Sequence, residues 1–166
     1  MNSNEYLNKL KSSLTKYFDI ELDKELGGRQ FSLYGRYYTR NSKYFALRKF
    51  EVYSFKINEY VLYHNCNNLD VDYINELKEY IKDNVDNIVI RDSETMSSAI
   101  TLLISSEEDI DNDTIKSVKK FKFYKSYDWG FKGWVNVKLI LVNLKTNQAY
   151  SNSLGRREKK RFIFLK

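Results

Sequence analysis

Proline is absent from all 166 residues, and cysteine and histidine occur once each, as Cys66 and His64. A single cysteine excludes an internal disulfide framework, so the fold must rest on its own core, and it fits a reducing, cytoplasmic setting. The lack of proline argues against long disordered linkers, which are usually Pro-enriched. Long apolar runs are missing too. The longest, such as Leu139-Ile-Leu-Val142, cover about four residues, against the ~20 of a membrane helix. Met1-Asn-Ser-Asn-Glu-Tyr6 lacks the basic start and apolar stretch of a signal peptide. The expectation is one soluble domain over residues 1–166, away from membranes and large enough to bury a core unaided.

Acidic residues are scarce in the last third. From Thr114 to Lys166, fourteen Lys or Arg stand against Asp128 and Glu158, a net +12 in a chain whose total is +6. Residues 29–66 carry +5, residues 1–28 carry −1 and residues 67–113 carry −10. Lys and Tyr have AT-rich codons, so where charge and aromatics sit is more informative than how many there are. The basic third also holds both tryptophans, inside Tyr124-Lys-Ser-Tyr-Asp-Trp-Gly-Phe-Lys-Gly-Trp134. Cationic and aromatic groups together suit an anionic, stackable partner.

Hydrophobic periodicity gives the layout. Leu7, Leu10, Leu14 and Tyr17 predict a helix over 3–18, with Ser3 as cap. Asp19 to Gly28 reads as an acidic connection ending in the breaker Gly27-Gly28. Residues 30–40 alternate as a strand, with Phe31, Leu33 and Tyr37 on one face and Tyr34, Arg36 and Tyr38 on the other. A turn at Asn41-Ser42, a strand from Tyr44 to Ile57 with a bulge near Arg48-Lys49, a turn at Asn58-Glu59 and a strand Tyr60–His64 complete a meander. Ile74, Leu77, Ile81, Val85 and Ile88 line a helix over 69–87, capped by Asn68 or Asp70. After a loop through Arg91–Thr95, residues 97–104 are apolar on both faces, as in a central strand. A short helix over 112–120 turns Ile115 and Val118 inward.

Phe121–Tyr127 then reads as a strand and Asp128–Gly133 as a loop. Residues 134–144 alternate, with Val135, Val137, Leu139 and Leu141 opposite Trp134, Asn136 and Lys138. Ala149-Tyr-Ser and Arg156–Leu165 extend the β region. The order α-βββ-α-β-α-βββ indicates an α+β domain, with helices packed on one face of a mainly antiparallel sheet.

Each motif has a plain reading beside a functional one. Gly130-Phe-Lys-Gly133 has the G-x-x-G form of certain RNA-binding loops, but those lie between helices and a strand follows here. Large aromatics usually bury, so the plain expectation folds Trp129 and Trp134 onto the core. The functional alternative is a ledge of Trp134, Asn136 and Lys138 with Lys132 at the loop tip, able to stack a base and hold a phosphate. Arg156-Arg-Glu-Lys-Lys-Arg161 is a phosphate-binding strip in the functional reading and a charge-protected edge strand in the plain one. His64 and Cys66 share a strand face roughly 6–7 Å apart, which suits a structural pair better than a catalytic or zinc site. Asp109-Ile-Asp-Asn-Asp113 lacks the glycine and closing glutamate of a calcium loop, and helix capping accounts for its acids. Asp128 with Glu158-x-Lys160 fits the short carboxylate–lysine element of metal-dependent nucleases. No P-loop, dinucleotide fingerprint or nucleophile elbow is present, and no cofactor or resident metal is expected.

Phe123-Tyr-Lys-Ser-Tyr-Asp-Trp-Gly-Phe-Lys-Gly-Trp-Val135, Asn152–Gly155, Tyr6-Leu-x-x-Leu10 and Tyr17-Phe18-Asp19 together resemble a prokaryotic family described only as a domain of unknown function. The resemblance spans nearly the whole chain. It implies a stand-alone domain and no particular activity.

The functional expectation is a binding module without catalytic machinery, meeting nucleic acid through Lys132, Trp134, Asn136, Lys138, Arg156, Arg157, Lys159 and Arg161. The rival is a protein-interaction or regulatory domain that turns the same surface to an acidic protein or a second copy. The nuclease is a third reading.

Overall fold

A computed structural model of the chain describes residues 1–37, 56–90, 95–130 and 133–164. The element order is α1 (Ser3–Leu14), β1 (Phe18–Leu26), β2 (Arg29–Tyr37), β3 (Lys56–Asn65), α2 (Val71–Ile88), β4 (Thr95–Ser106), α3 (Asn112–Lys120), β5 (Tyr124–Ser126), β6 (Trp134–Asn143) and β7 (Gln148–Ser151). The α+β class and the order α-βββ-α-β-α-βββ match the expectation. Among the described residues no helix is long and apolar enough to cross a membrane.

The helices start where side chains can satisfy free backbone N–H groups. Asn2, not Ser3, caps α1: its side chain accepts from the Glu5 N–H at 2.8 Å, and Glu5 accepts in return from the Asn2 N–H. The Ser3 N–H goes instead to Glu107 at 2.9 Å. Asp70 caps α2, and Asp111 caps α3 by accepting from the backbone of Asp113 and Thr114. The predicted stripe Ile74, Leu77, Ile81, Val85 and Ile88 is buried throughout, and so are Ile115 and Val118.

The sheet runs β1-β2-β3-β4-β6-β5, with β7 also on β6. The β3–β4 and β4–β6 pairs are parallel and the other four are antiparallel. Parallel neighbours need long crossovers, and α2 and α3 supply them. Both pack with Ile100, Leu102, Ile104 and the Val135–Leu141 face of β6. Helices do not all lie on that face, however. Tyr6 and Leu10 of α1 pack with Leu33, Val61, Tyr63, Leu103, Ile140 and Val142 on the other. The apolar residues of β6 from Ile140 onward need cover on both sides, and α1 provides the second.

Three local expectations are corrected. The acidic stretch from Asp19 is an edge strand, β1, and Gly27-Gly28 is its hairpin turn to β2, with φ of +54° and +77°. Helix α1 therefore ends at Leu14 and leaves Tyr17 exposed. Asn58-Glu59 is not a turn, because β3 runs through it. On β2, Phe31 joins Tyr34 on the α2 face while Leu33 joins the α1 face. Asp23, at φ 50°, drops out of the β1–β2 register between these two positions. Most of the strand proposed over 44–57, with its bulge, lies outside the described residues, as do Tyr38, the Asn41-Ser42 turn and Arg91–Glu94.

The fourth correction shapes the candidate site. Arg156–Leu165 is not a strand; residues 153–158 turn, and Lys159–Phe162 form a 3₁₀ helix. The cause is Asn152, which is fully buried. Strand β5 pairs with residues 134–136 of β6 and β7 with residues 140–143. The Asn152 side chain fills the gap between them. It donates to the Val137 carbonyl at 2.9 Å and accepts from the Leu139 N–H at 3.2 Å and the Gly155 N–H at 3.0 Å. A side chain thus replaces a stretch of strand, and the chain turns away from the sheet. Gly155 allows the close return, since a Cβ there would meet Ile140 at 3.0 Å.

Replacing Asn152 with Ala leaves three buried backbone groups without partners. We expect a loss of about 3 kcal/mol in denaturant unfolding at unchanged m-value. A loss below about 0.5 kcal/mol would show that the strand edge is satisfied by other means.

Candidate nucleic-acid interface

Alternation along β6 sends Val135 and Val137 into the core and leaves Trp134, Asn136 and Lys138 on the other face. Register places Ser97, Ala99 and Thr101 of β4 beside them. These small neighbours keep the shelf low. On the opposite side Tyr124 lies beside Asn136 and Ser126 beside Trp134. Trp134 is 36% exposed, Tyr124 is 62% exposed and Asn136 is half-buried. Further along the same face α1 closes over Ile140 and Val142, so the shelf ends where the core begins.

Lys138 is mostly buried and donates to Glu158 at 2.7 Å. It therefore joins the shelf to the basic strip and is not a free cation. The strip itself is wound and bolted down. Gly155 O accepts from the N–H groups of Glu158 and Lys159, and Glu158 O accepts from Arg161. Phe162 is buried in the α1-side core, and its carbonyl accepts from the Tyr6 hydroxyl at 2.8 Å. Burial pushes the Tyr6 phenol far above its usual range, so it remains a donor. Around this anchor Arg156, Arg157, Lys160 and Arg161 are exposed and Lys159 is half-buried. None of the five is ion-paired to a described residue. The edge-strand explanation no longer applies to them, because the segment is not a strand.

The two tryptophans differ. Trp129 is 97% exposed and does not fold onto the core. It sits in a short 3₁₀ turn, Asp128–Gly130, with φ 56° and ψ 26°, and Asp128 before it has φ 46°. Aspartate tolerates the left-handed region, but a bulky tryptophan there is costly. The loop is held at both ends. The Tyr127 N–H donates to the Gly133 carbonyl at 2.9 Å, and Asp86 of α2 accepts from the Tyr127 hydroxyl at 2.5 Å and from Lys125 at 2.7 Å. Lys132 lies outside the described residues.

The acidic helix does not cover the strip. It packs on the opposite face of the sheet, and of its carboxylates Asp86 reaches across to β5. Asp109 pairs with Lys145 and Asp111 caps α3, which accounts for the acidic link without a calcium loop. Among the described residues no three His, Cys, Asp or Glu side chains gather into a metal-sized group.

A second polar cluster lies on the α2 face and was legible in the sequence only as the His64–Cys66 pair. His64 is buried, with Nε2 hydrogen-bonded to the Tyr73 hydroxyl and Nδ1 without a partner. The Arg29 guanidinium stacks 4.9 Å from the Tyr73 ring and 5.6 Å from the Tyr80 ring. Burial, then the Arg29 charge, lowers the His64 pKa to about 4. Burial also pushes the Cys66 thiol up, so neither group is activated as a nucleophile or base. The cluster docks the start of α2 against β2 and β3.

The chain matches the family model of a domain of unknown function, DUF8052, over residues 2–164. The protein belongs to that family. No curated protein and no solved structure matches it. The segments that carried the resemblance now have physical roles: Asn152–Gly155 replaces a strand edge, and residues 123–135 build β5, the Trp129 loop and the start of β6.

Two outcomes follow. A buried histidine with a lowered pKa binds its proton more readily in the unfolded chain. Its stabilising effect is complete above pH ~6.5 and fades as pH falls toward 4, by about 3 kcal/mol in all. Unfolding curves between pH 7 and pH 4 should show this loss, and His64→Gln should flatten it. Trp129→Gly relieves left-handed strain while giving up almost no burial. It should gain about 1 kcal/mol, a rise of about 2–4 °C in Tm.

Proposed function

We propose that this domain binds nucleic acid along a path from the Trp134–Asn136 shelf to the Arg156–Arg161 cluster. The observation that carries the reading is the cluster itself. Five cations in six residues are wound onto an anchored 3₁₀ turn, unpaired within the described residues, beside a strand face that offers an aromatic and an amide. Concentrated cationic charge neutralises phosphates and releases their counterions. Trp134 and Tyr124 give flat surfaces for stacking, and Asn136 can donate to or accept from a base edge or phosphate. Lys138, held by Glu158, positions the cluster against the shelf. The single, half-buried Cys66 suits a cytoplasmic home.

The nuclease reading draws nothing from this geometry. Glu158 already carries Lys138, and Asp128 sits in the strained loop that displays Trp129.

The test is fluorescence anisotropy with labelled single-stranded and duplex DNA and RNA at 50 and 200 mM salt. Affinity should fall steeply with salt. The double variant Arg157→Ala, Arg161→Ala should weaken binding regardless of sequence and flatten the log–log slope by about 0.7–0.9 for each lost phosphate contact. No binding to any of these at low salt would overturn the proposal and leave an acidic protein as the partner to seek.

A further inference from the structure

Resting on that reading, we propose that the ligand is single-stranded and that the Trp129 indole stacks on one of its unpaired bases. An isolated exposed hydrophobe is ordinary, but a tryptophan 97% exposed is not, because its large apolar surface normally buries. Its backbone makes the case stronger. Glycine, asparagine or aspartate occupies φ near +50° cheaply, as Asp128 does, yet the chain places Trp129 there directly after it. Strain of this kind persists only when the surroundings enforce it, and here they do. The Tyr127 N–H closes the loop onto Gly133, itself at φ 88°, and Asp86 clamps Tyr127 and Lys125 from α2. The anchors on either side of Trp129 are therefore in place before any ligand arrives, which lowers the ordering cost of binding.

Position agrees with this role. The loop leads directly into Trp134 and the shelf, and β6 carries the path onward to Lys138 and the cation cluster, about 13 Å further at ~3.3 Å per residue. A strand laid along that path would place its phosphates on the cations and its bases on aromatic faces. In a duplex those faces are already stacked on each other, so the indole would gain contact only by unstacking a base step. An acidic protein would satisfy the cations but offers no stack of flat rings to Trp129.

The test separates base from phosphate. Labelled (dT)12, an abasic oligomer of the same length and a 12-base-pair duplex are titrated into the wild-type protein, Trp129→Ala and Trp129→Tyr at low salt. Trp129→Ala should lose roughly 10- to 100-fold in affinity for (dT)12 and leave the abasic oligomer unaffected. Trp129→Tyr should restore most of the loss, and the wild type should prefer (dT)12 to the duplex. Equal binding of (dT)12 by the wild type and Trp129→Ala would overturn the stacking role while leaving the phosphate path intact. A loss for the abasic oligomer as large as for (dT)12 would overturn it as well. If the wild type binds none of the three, the nucleic-acid reading falls with it.

Discussion

The outer edge of β6 is shared among three partners, and the arrangement of the α1 face follows from how they divide it. Strand β5 takes the first three residues, Asn152 the middle and β7 the end. Each share has a different consequence. Because β5 is short, the chain must loop between Ser126 and Trp134, and that loop carries Trp129. Because Asn152 satisfies Val137 and Leu139 with a side chain, no further strand can pair there. The chain then leaves the sheet at Gly155, where the missing Cβ allows it to fold back over Ile140. Only that return brings Glu158 to Lys138 and Phe162 under Tyr6. The five cations are lifted out of any ladder as a result.

Ion pairs are too weak to hold this arrangement by themselves. Lys145–Asp109 and Lys125–Asp86 have mostly or partly exposed partners and are worth about 0–1 kcal/mol each. The buried apolar residues on both sides of β6 outweigh them, since each fully buried large side chain contributes about 1.5–3 kcal/mol. Lys138–Glu158 is less exposed and carries its own desolvation cost, so it acts mainly to align strand and turn. The charge separation of the sequence thereby becomes a separation in space. The −10 segment lies largely on the α2 face, and the basic cluster stands on the α1 side without it.

Much of this was readable from the chain. The stripes of α2 and α3 and the alternation Val135–Leu141 are strong periodic signals, and they appear as read. The differences have two causes: composition that points away from the period, and contacts that leave no local trace. Phe18, Ile20 and Leu22 alternate cleanly with Asp19, Glu21 and Asp23, but the density of acids suggested a link, whereas charge on an edge strand is a common protection. Asn58-Glu59 has turn chemistry, yet β4 pairs through both residues and β2 pairs as far as Glu59. Arg156–Leu165 ends in Phe-Ile-Phe-Leu, a strand-like run. The decision lies at Asn152, whose hydrogen bonds reach back 13 and 15 residues to Leu139 and Val137 and leave no local trace. The shared strand face of Trp134, Asn136 and Lys138 was legible in the alternation. Its division of labour was not, since the engagement of Lys138 and the exposure of Trp129 both depend on tertiary contacts.

The Trp129 loop shows how the two levels meet. Burial statistics favour a tryptophan in the core, and backbone sterics favour glycine at its φ. The chain departs from both at one position, next to a segment that otherwise obeys sheet rules closely. Local preference and global fold usually agree in a natural sequence, and where they conflict the conflict tends to mark a site. Here the supporting contacts are specific: Asp86 of α2 reaches β5 and grips Lys125 and Tyr127 on the same loop arm. A strained, exposed aromatic held by an anchored loop does nothing for the stability of the free domain. The packing of the free domain requires neither the exposed indole nor its left-handed backbone.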